Sequence, residues 1–158
     1  MTGFTTLLSE FAAAGIANDG ARFTALFTDE GTYDDLFFGL HRGRAQIAAM
    51  LQRFHDTGRD YRWEFVEPVS DGQLGYARFR FSYASRLPGC EDRPVFFTGI
   101  SQFRFAGPLI ADYREAWDRG AALVQLGFPA ERIRRVVEKA AAAQNQTAEA
   151  REHLDRLR

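Results

Sequence analysis

The chain has 158 residues, a formal net charge of −1, 46% hydrophobic and 14% aromatic residues, and one cysteine, Cys90. That length suits one domain with a substantial core, at roughly 100–200 residues per domain, and the near-neutral charge offers no general attraction to nucleic acid or to an anionic membrane. A lone cysteine excludes an intrachain disulfide and fits a cytoplasmic setting, and no apolar run approaches the roughly 20 residues of a membrane span.

Phe4, Leu7, Leu8, Phe11 and Ala14 recur at helical spacing. The polar break Asn18-Asp19 is placed to cap a second short helix, Ala21 to Phe27. Thr32 to Leu40 is rich in β-formers and aromatics and predicts a strand. From Gly43 an amphipathic helix turns Ile47, Met50, Leu51 and Phe54 toward the core. At Arg59 the period changes to two, with Tyr61, Trp63 and Phe65 on one face. Turn signals at Ser70-Asp71-Gly72, Pro88-Gly89 and Gly107-Pro108 then separate strands over Gln73–Arg86, Pro94–Phe105 and Leu109–Asp118, an antiparallel meander. A helix opens near Gly120 and a last one near Ala130, whose apolar stripe is thin and whose charges are mixed in sign.

The strand Leu109–Asp118 threads Asp112, Arg114, Glu115 and Asp118 through an apolar pattern. Asp118 falls where sheet gives way to helix, so it is a candidate acid or base in a pocket, or the cap of the helix that follows. Asp35 is the second candidate, with the alternative of a turn residue answered by Arg44. Alternation puts Tyr33 and Phe37 on Asp35's face, and Asp112, Arg114 and Ala116 on Asp118's. Two carboxylates in one poorly solvated cavity cannot both ionise freely, so one should keep its proton above the reference value of about 4. His41, before the third helix, is placed at a pocket mouth or in solvent. The histidines show no metal-ligand spacing, and no glycine-rich phosphate loop or dinucleotide fingerprint occurs, so neither metal nor cofactor is expected.

This order of elements, with Thr32-Tyr33-Asp34-Asp35-Leu36, Gly43-Arg44 and the strand from Asp112 to Asp118, resembles the nuclear transport factor 2-like, or SnoaL-like, superfamily. The resemblance implies an α+β fold: a cone-shaped curved antiparallel sheet wrapped around N-terminal helices, over residues 1–127, with a C-terminal helical extension at 128–158 that belongs to the same domain or to a dimer contact. It also implies a deep pocket. In the ketosteroid isomerases of this superfamily Asp35 matches the proton-abstracting base, but Phe11 and Ser101 stand where a tyrosine and a second acid are expected. Limonene epoxide hydrolase has a last strand similar to Arg114-Glu115-Ala116-Trp117-Asp118, in which Asp118 matches the water-activating aspartate; Tyr33 and Asp35 fall where water-holding residues lie, and no acid accompanies Arg78 and Arg80.

The expected function is a cofactor-independent enzyme of isomerase, cyclase or epoxide-hydrolase type. It takes a hydrophobic cyclic or terpenoid-like molecule, with Asp118 and Asp35 as acid and base and with Tyr33, Arg114, Phe11, Trp63, Phe37 and His41 as substrate contacts. The alternative is a non-catalytic binding or dimerisation module of the same fold. Both predict a homodimer, from the aromatic load of Phe96, Phe97, Phe103, Phe105 and Trp117 on one sheet.

Overall fold

A computed structural model describes residues 2–157. Helices α1 (Thr2–Ile16) and α2 (Gly20–Thr24) lead into β1 (Phe27–Asp35) and β2 (Gly39–Arg42), then α3 (Gly43–Thr57). Strands β3 (Gly58–Ser70), β4 (Leu74–Ser85), β5 (Pro94–Ala106) and β6 (Leu109–Trp117) follow, and α4 (Arg119–Gln125), α5 (Ala130–Asn145) and α6 (Ala148–Leu154) close the chain.

The sheet order is β2-β1-β6-β5-β4-β3. The last four strands form the antiparallel meander expected from their short turns. The first strand joins it by a parallel pairing with β6, in the register Thr32 to Asp112, Tyr33 to Tyr113 and Asp34 to Arg114. The strand expected over Thr32–Leu40 is in fact two, β1 beginning at Phe27 and β2 at Gly39, with a turn over Leu36–Phe38. Phe27 is fully buried opposite Ile110, and that burial draws the strand start forward. A β-carbon on Gly31 would lie 3.1 Å from the Ile110 carbonyl oxygen, so the bulge in β1 uses glycine to let the backbones approach.

β3 has register shifts between Arg59 and Arg62 and between Val66 and Val69. Asp60 and Glu67 sit at these breaks with φ of 57° and 55°. Such bulges add twist and bend, and here they curl β3 around the helices. Gly15 lets α1 approach that strand: a β-carbon there would meet the Trp63 ring at 3.2 Å.

The core is aromatic. Phe11, fully buried on α1, packs against the rings of Phe23, Trp63, Phe103 and Tyr113 at centroid distances of 4.7, 5.2, 5.5 and 5.0 Å. Phe97 and Phe103 face this core, and Phe105 and Trp117 pack partly against it, so of the five aromatics expected to crowd an outer surface Phe96 alone is mainly exposed. The strand period sends alternate residues of β5 to opposite faces and explains the correction. In α5 no residue is fully buried, though Ile133 and Val136 rest against the core. Among the described residues no helix is long and apolar enough to cross a membrane.

Candidate active site

The parallel pairing of β1 and β6 builds the site. Tyr33 lies opposite Tyr113, with ring centroids 4.4 Å apart, and one step beyond Asp34 and Arg114 come the inward side chains of Asp35 and Glu115. The two carboxyls are near enough to perturb each other's proton affinity. Asp35 is buried, and its Oδ1 accepts hydrogen bonds from the backbone N–H groups of Phe37 at 2.7 Å and Phe38 at 2.6 Å. The aspartate therefore forms the turn after β1 as well as facing the pocket, so the two readings of Asp35 describe one side chain. Arg44 does not answer it. That guanidinium pairs with Asp29 and with the Phe27 carbonyl oxygen.

Glu115 receives two donors, Tyr113 Oη on Oε2 at 3.0 Å and Trp117 Nε1 on Oε1 at 2.9 Å. Tyr113 Oη shares a 2.8 Å hydrogen bond with Ser101 Oγ and is bonded to the Tyr33 hydroxyl as well. A buried polar chain thus runs from Tyr33 and Ser101 through Tyr113 to Glu115.

Burial dominates the electrostatics. It raises Glu115, helped by the charge of Asp35, and the carboxyl is pushed up to about 8 although Trp117 and Tyr113 pull the other way. Asp35 is also raised by burial, but the amides of Phe38 and Phe37 and the Glu115 carboxyl each favour its ionised form. Both carboxyls are thus raised by burial, Glu115 further by the charge of its neighbour, while the amide donors on Asp35 oppose the rise there.

Around the pair is a space of about 10 Å³ bordered by Tyr33, Phe37, Trp63, Phe97 and Trp117. That is about the room one water molecule takes. Trp117 stacks on Phe97 at 4.0 Å and meets Phe37 at 4.7 Å. Trp63 is nine-tenths buried, and its Nε1 has no hydrogen-bond partner among the described residues. An indole N–H left so is a buried donor without a partner.

Several expected site residues lie elsewhere. Asp118 is exposed, and its Oδ1 accepts the Ala121 N–H at 2.9 Å, capping α4. Arg114 is exposed on the outer face, opposite Gln102 and Asp34. The physical reason is the period of two: once Tyr113, Glu115 and Trp117 face inward, Arg114, Ala116 and Asp118 must face outward. Phe11 lies in the core beneath Tyr33, stacked at 6.3 Å, and does not border the cavity. His41 is a buried residue of β2 opposite Tyr33, held below the usual imidazole range by burial and by the charge of Arg53. Tyr33, Asp35, Phe37 and Trp63 do meet at the cavity. Glu115, Tyr113 and Ser101 join the site through side-chain hydrogen bonds, and in the sequence the alternation of Tyr113, Glu115 and Trp117 is the one sign of their shared face. Among the described residues no group of histidine, cysteine and acidic side chains gathers to hold a metal ion.

The SnoaL-like domain family matches residues 8–113, and the chain belongs to that family. No curated protein matches the sequence. Similar solved structures include a protein of ketosteroid isomerase-like fold from Catenulispora acidiphila DSM 44928, solved with trimethylamine, at 21% identity and TM-score 0.71 over 79% of this chain and 95% of that one. An epoxide hydrolase of limonene-epoxide-hydrolase type from M. tuberculosis aligns at 18% identity and TM-score 0.65, covering 79% and 90%. A proposed polyketide cyclase from Xanthomonas campestris pv. campestris aligns at 19% and 0.67, covering 79% and 97%. At these identities the likeness shows the shared cone fold.

Proposed function

We propose that this protein is a cofactor-independent acid–base enzyme for a hydrophobic cyclic or terpenoid-like molecule, with Asp35 as base and Glu115 as acid. The carrying observation is the pair of facing carboxyls on β1 and β6, walled by aromatic rings, both of whose proton affinities burial raises. Ionised Asp35, oriented by two amides, removes a proton from carbon beside a carbonyl. Glu115 gives its proton to the oxygen where charge develops. Glu115 so supplies, from β6, the protonated acid missing at Ser101. Tyr33 acts through Tyr113, orienting Glu115 rather than touching substrate.

A second reaction of the same dyad is favoured by the water-sized space: Asp35 activates a water held there while Glu115 protonates an epoxide oxygen. Purified protein incubated in deuterium oxide with cyclic ketones and enones, and separately with terpene epoxides, distinguishes the two by deuterium uptake at carbon or by diol formation. Asp35→Asn and Glu115→Gln are each expected to lower the observed rate by roughly 10²–10⁴-fold with the fold retained. Unchanged rates would sink the assignment. Ligand binding without turnover in any of these reactions would favour a binding module instead.

The reading includes a cytoplasmic homodimer. Buried Cys90, the one cysteine, supports the compartment. Ile100, Phe96 and Tyr76, exposed on the outer face of β4 and β5, support the dimer. Sedimentation as a monomer at micromolar concentration would remove the dimer from the reading.

A further inference from the structure

Next to the dyad space lies a larger chamber of about 220 Å³, and Phe37 and Phe54 border both. One side of the chamber belongs to the cone. The other is made by Arg119, Leu123, Leu126, Phe128 and Val136, all in the segment that follows β6. The segment after β6 therefore closes a cavity against the cone.

The chamber's lining is apolar and aromatic except for a few groups. Arg119 is its one charged residue among those described, and no carboxylate borders it. Arg119 Nη1 donates to the carbonyl oxygen of Leu36, the residue between Asp35 and Phe37, so the guanidinium is anchored on the turn that holds the dyad. Its Nε and Nη2 make no hydrogen bond to the described residues and remain for a ligand. Tyr83, another lining residue, is pushed up to about 12 by burial and then by the charge of Asp35, which puts the dyad within electrostatic reach of the chamber. A mostly apolar cavity with one fixed polar group orients a ligand by that group, and a partly desolvated guanidinium selects a planar anion.

We propose that this chamber binds an apolar acid, an aromatic or alicyclic molecule carrying one carboxylate or comparable anion, with the anion on Arg119 and the hydrocarbon among Leu123, Leu126, Phe128 and Tyr83. Capture of the anion stands on the chamber alone. Passage of the ligand's reacting end past Phe37 and Phe54 to Asp35 and Glu115 rests on the acid–base reading above.

The test is a fluorescence titration of the full chain with 1-anilinonaphthalene-8-sulfonate and with its uncharged parent, N-phenyl-1-naphthylamine. Arg119→Gln is expected to weaken the sulfonate by roughly tenfold and to leave the neutral dye within about twofold. Arg119→Lys should keep a preference for the sulfonate. Val136→Trp, at a half-buried position, fills the chamber and should weaken both dyes. Equal effects of Arg119→Gln on the two dyes, no effect on either, or undiminished binding by Val136→Trp would overturn the proposal. Glu115→Gln should leave both affinities within about twofold; if it abolishes turnover with binding intact, the chamber and the dyad have been tested separately. An active dyad in a chain that fails the dye test would discard the substrate class alone.

Discussion

Asp35 and Glu115 stand one residue beyond the parallel pair Asp34 and Arg114, and that register brings together two carboxyls 80 residues apart in the chain. Neither acid is placed by its neighbours in sequence. A shift of one residue in the pairing would turn one of them to the outer face and dissolve the dyad.

Asp118 then has a structural task. Asp118→Ala should cost about 1 kcal/mol of stability, the usual effect of losing a helix N-cap acceptor. Turnover should be unaffected, since the carboxylate is exposed outside the cavity. Urea denaturation and the rate with whichever substrate class responds would check both parts. A rate loss as large as that of Asp35→Asn would return Asp118 to the chemistry.

Stability should depend on pH through Glu115. The folded chain keeps this proton up to about pH 8, whereas an unperturbed glutamate releases it near 4.5. Across that window the folded state binds more protons, so the contribution is fully present below the lower value and is lost as pH rises through the upper one. The raised Asp35 carboxyl has the same sign. Glu115→Gln, which does not titrate, should therefore gain in Tm relative to the unsubstituted chain as pH goes from 5 to 9, values chosen to bracket the window at roughly pH 4.5–8. A difference in Tm independent of pH would contradict the raised Glu115 carboxyl.

Tyr113→Phe removes the donor that favours ionised Glu115. The carboxyl should then move above about 8, carrying with it the alkaline limit of activity. The same change strips a partner from Ser101 Oγ and from the Tyr33 hydroxyl, both in buried surroundings. A stability loss of roughly 1–3 kcal/mol is expected for such orphaned groups. A pH–rate profile with an unmoved or lowered alkaline limit would show that Tyr113 does not set the Glu115 proton.

Much of the fold was legible because its signals are local. Periods of 3.6 and 2, the caps at Asp19 and Asp118, and the glycine and proline turns depend on nearby residues alone. The boundary of the first strand was less so: burial of Phe27 against Ile110 depends on a partner 83 residues away. Tyr33, Asp35, Phe37 and Trp63, singled out by alternation and family likeness, border one cavity. Asp118 stands out in the sequence by its place at the strand end, but the period of two puts it on the exposed face with Arg114 and turns Glu115 to the covered one.

By itself, the sequence determined an α+β cone with an aromatic interior, an acid on the first strand and charge on the last. Only the tertiary structure decided which charge meets which. Parallel pairing of β1 with β6 is a contact between distant segments, and the side of the sheet that is covered assigns burial, hence proton affinity, to Glu115 rather than to Asp118. The 220 Å³ chamber likewise exists only where the segment after β6 folds back over the cone.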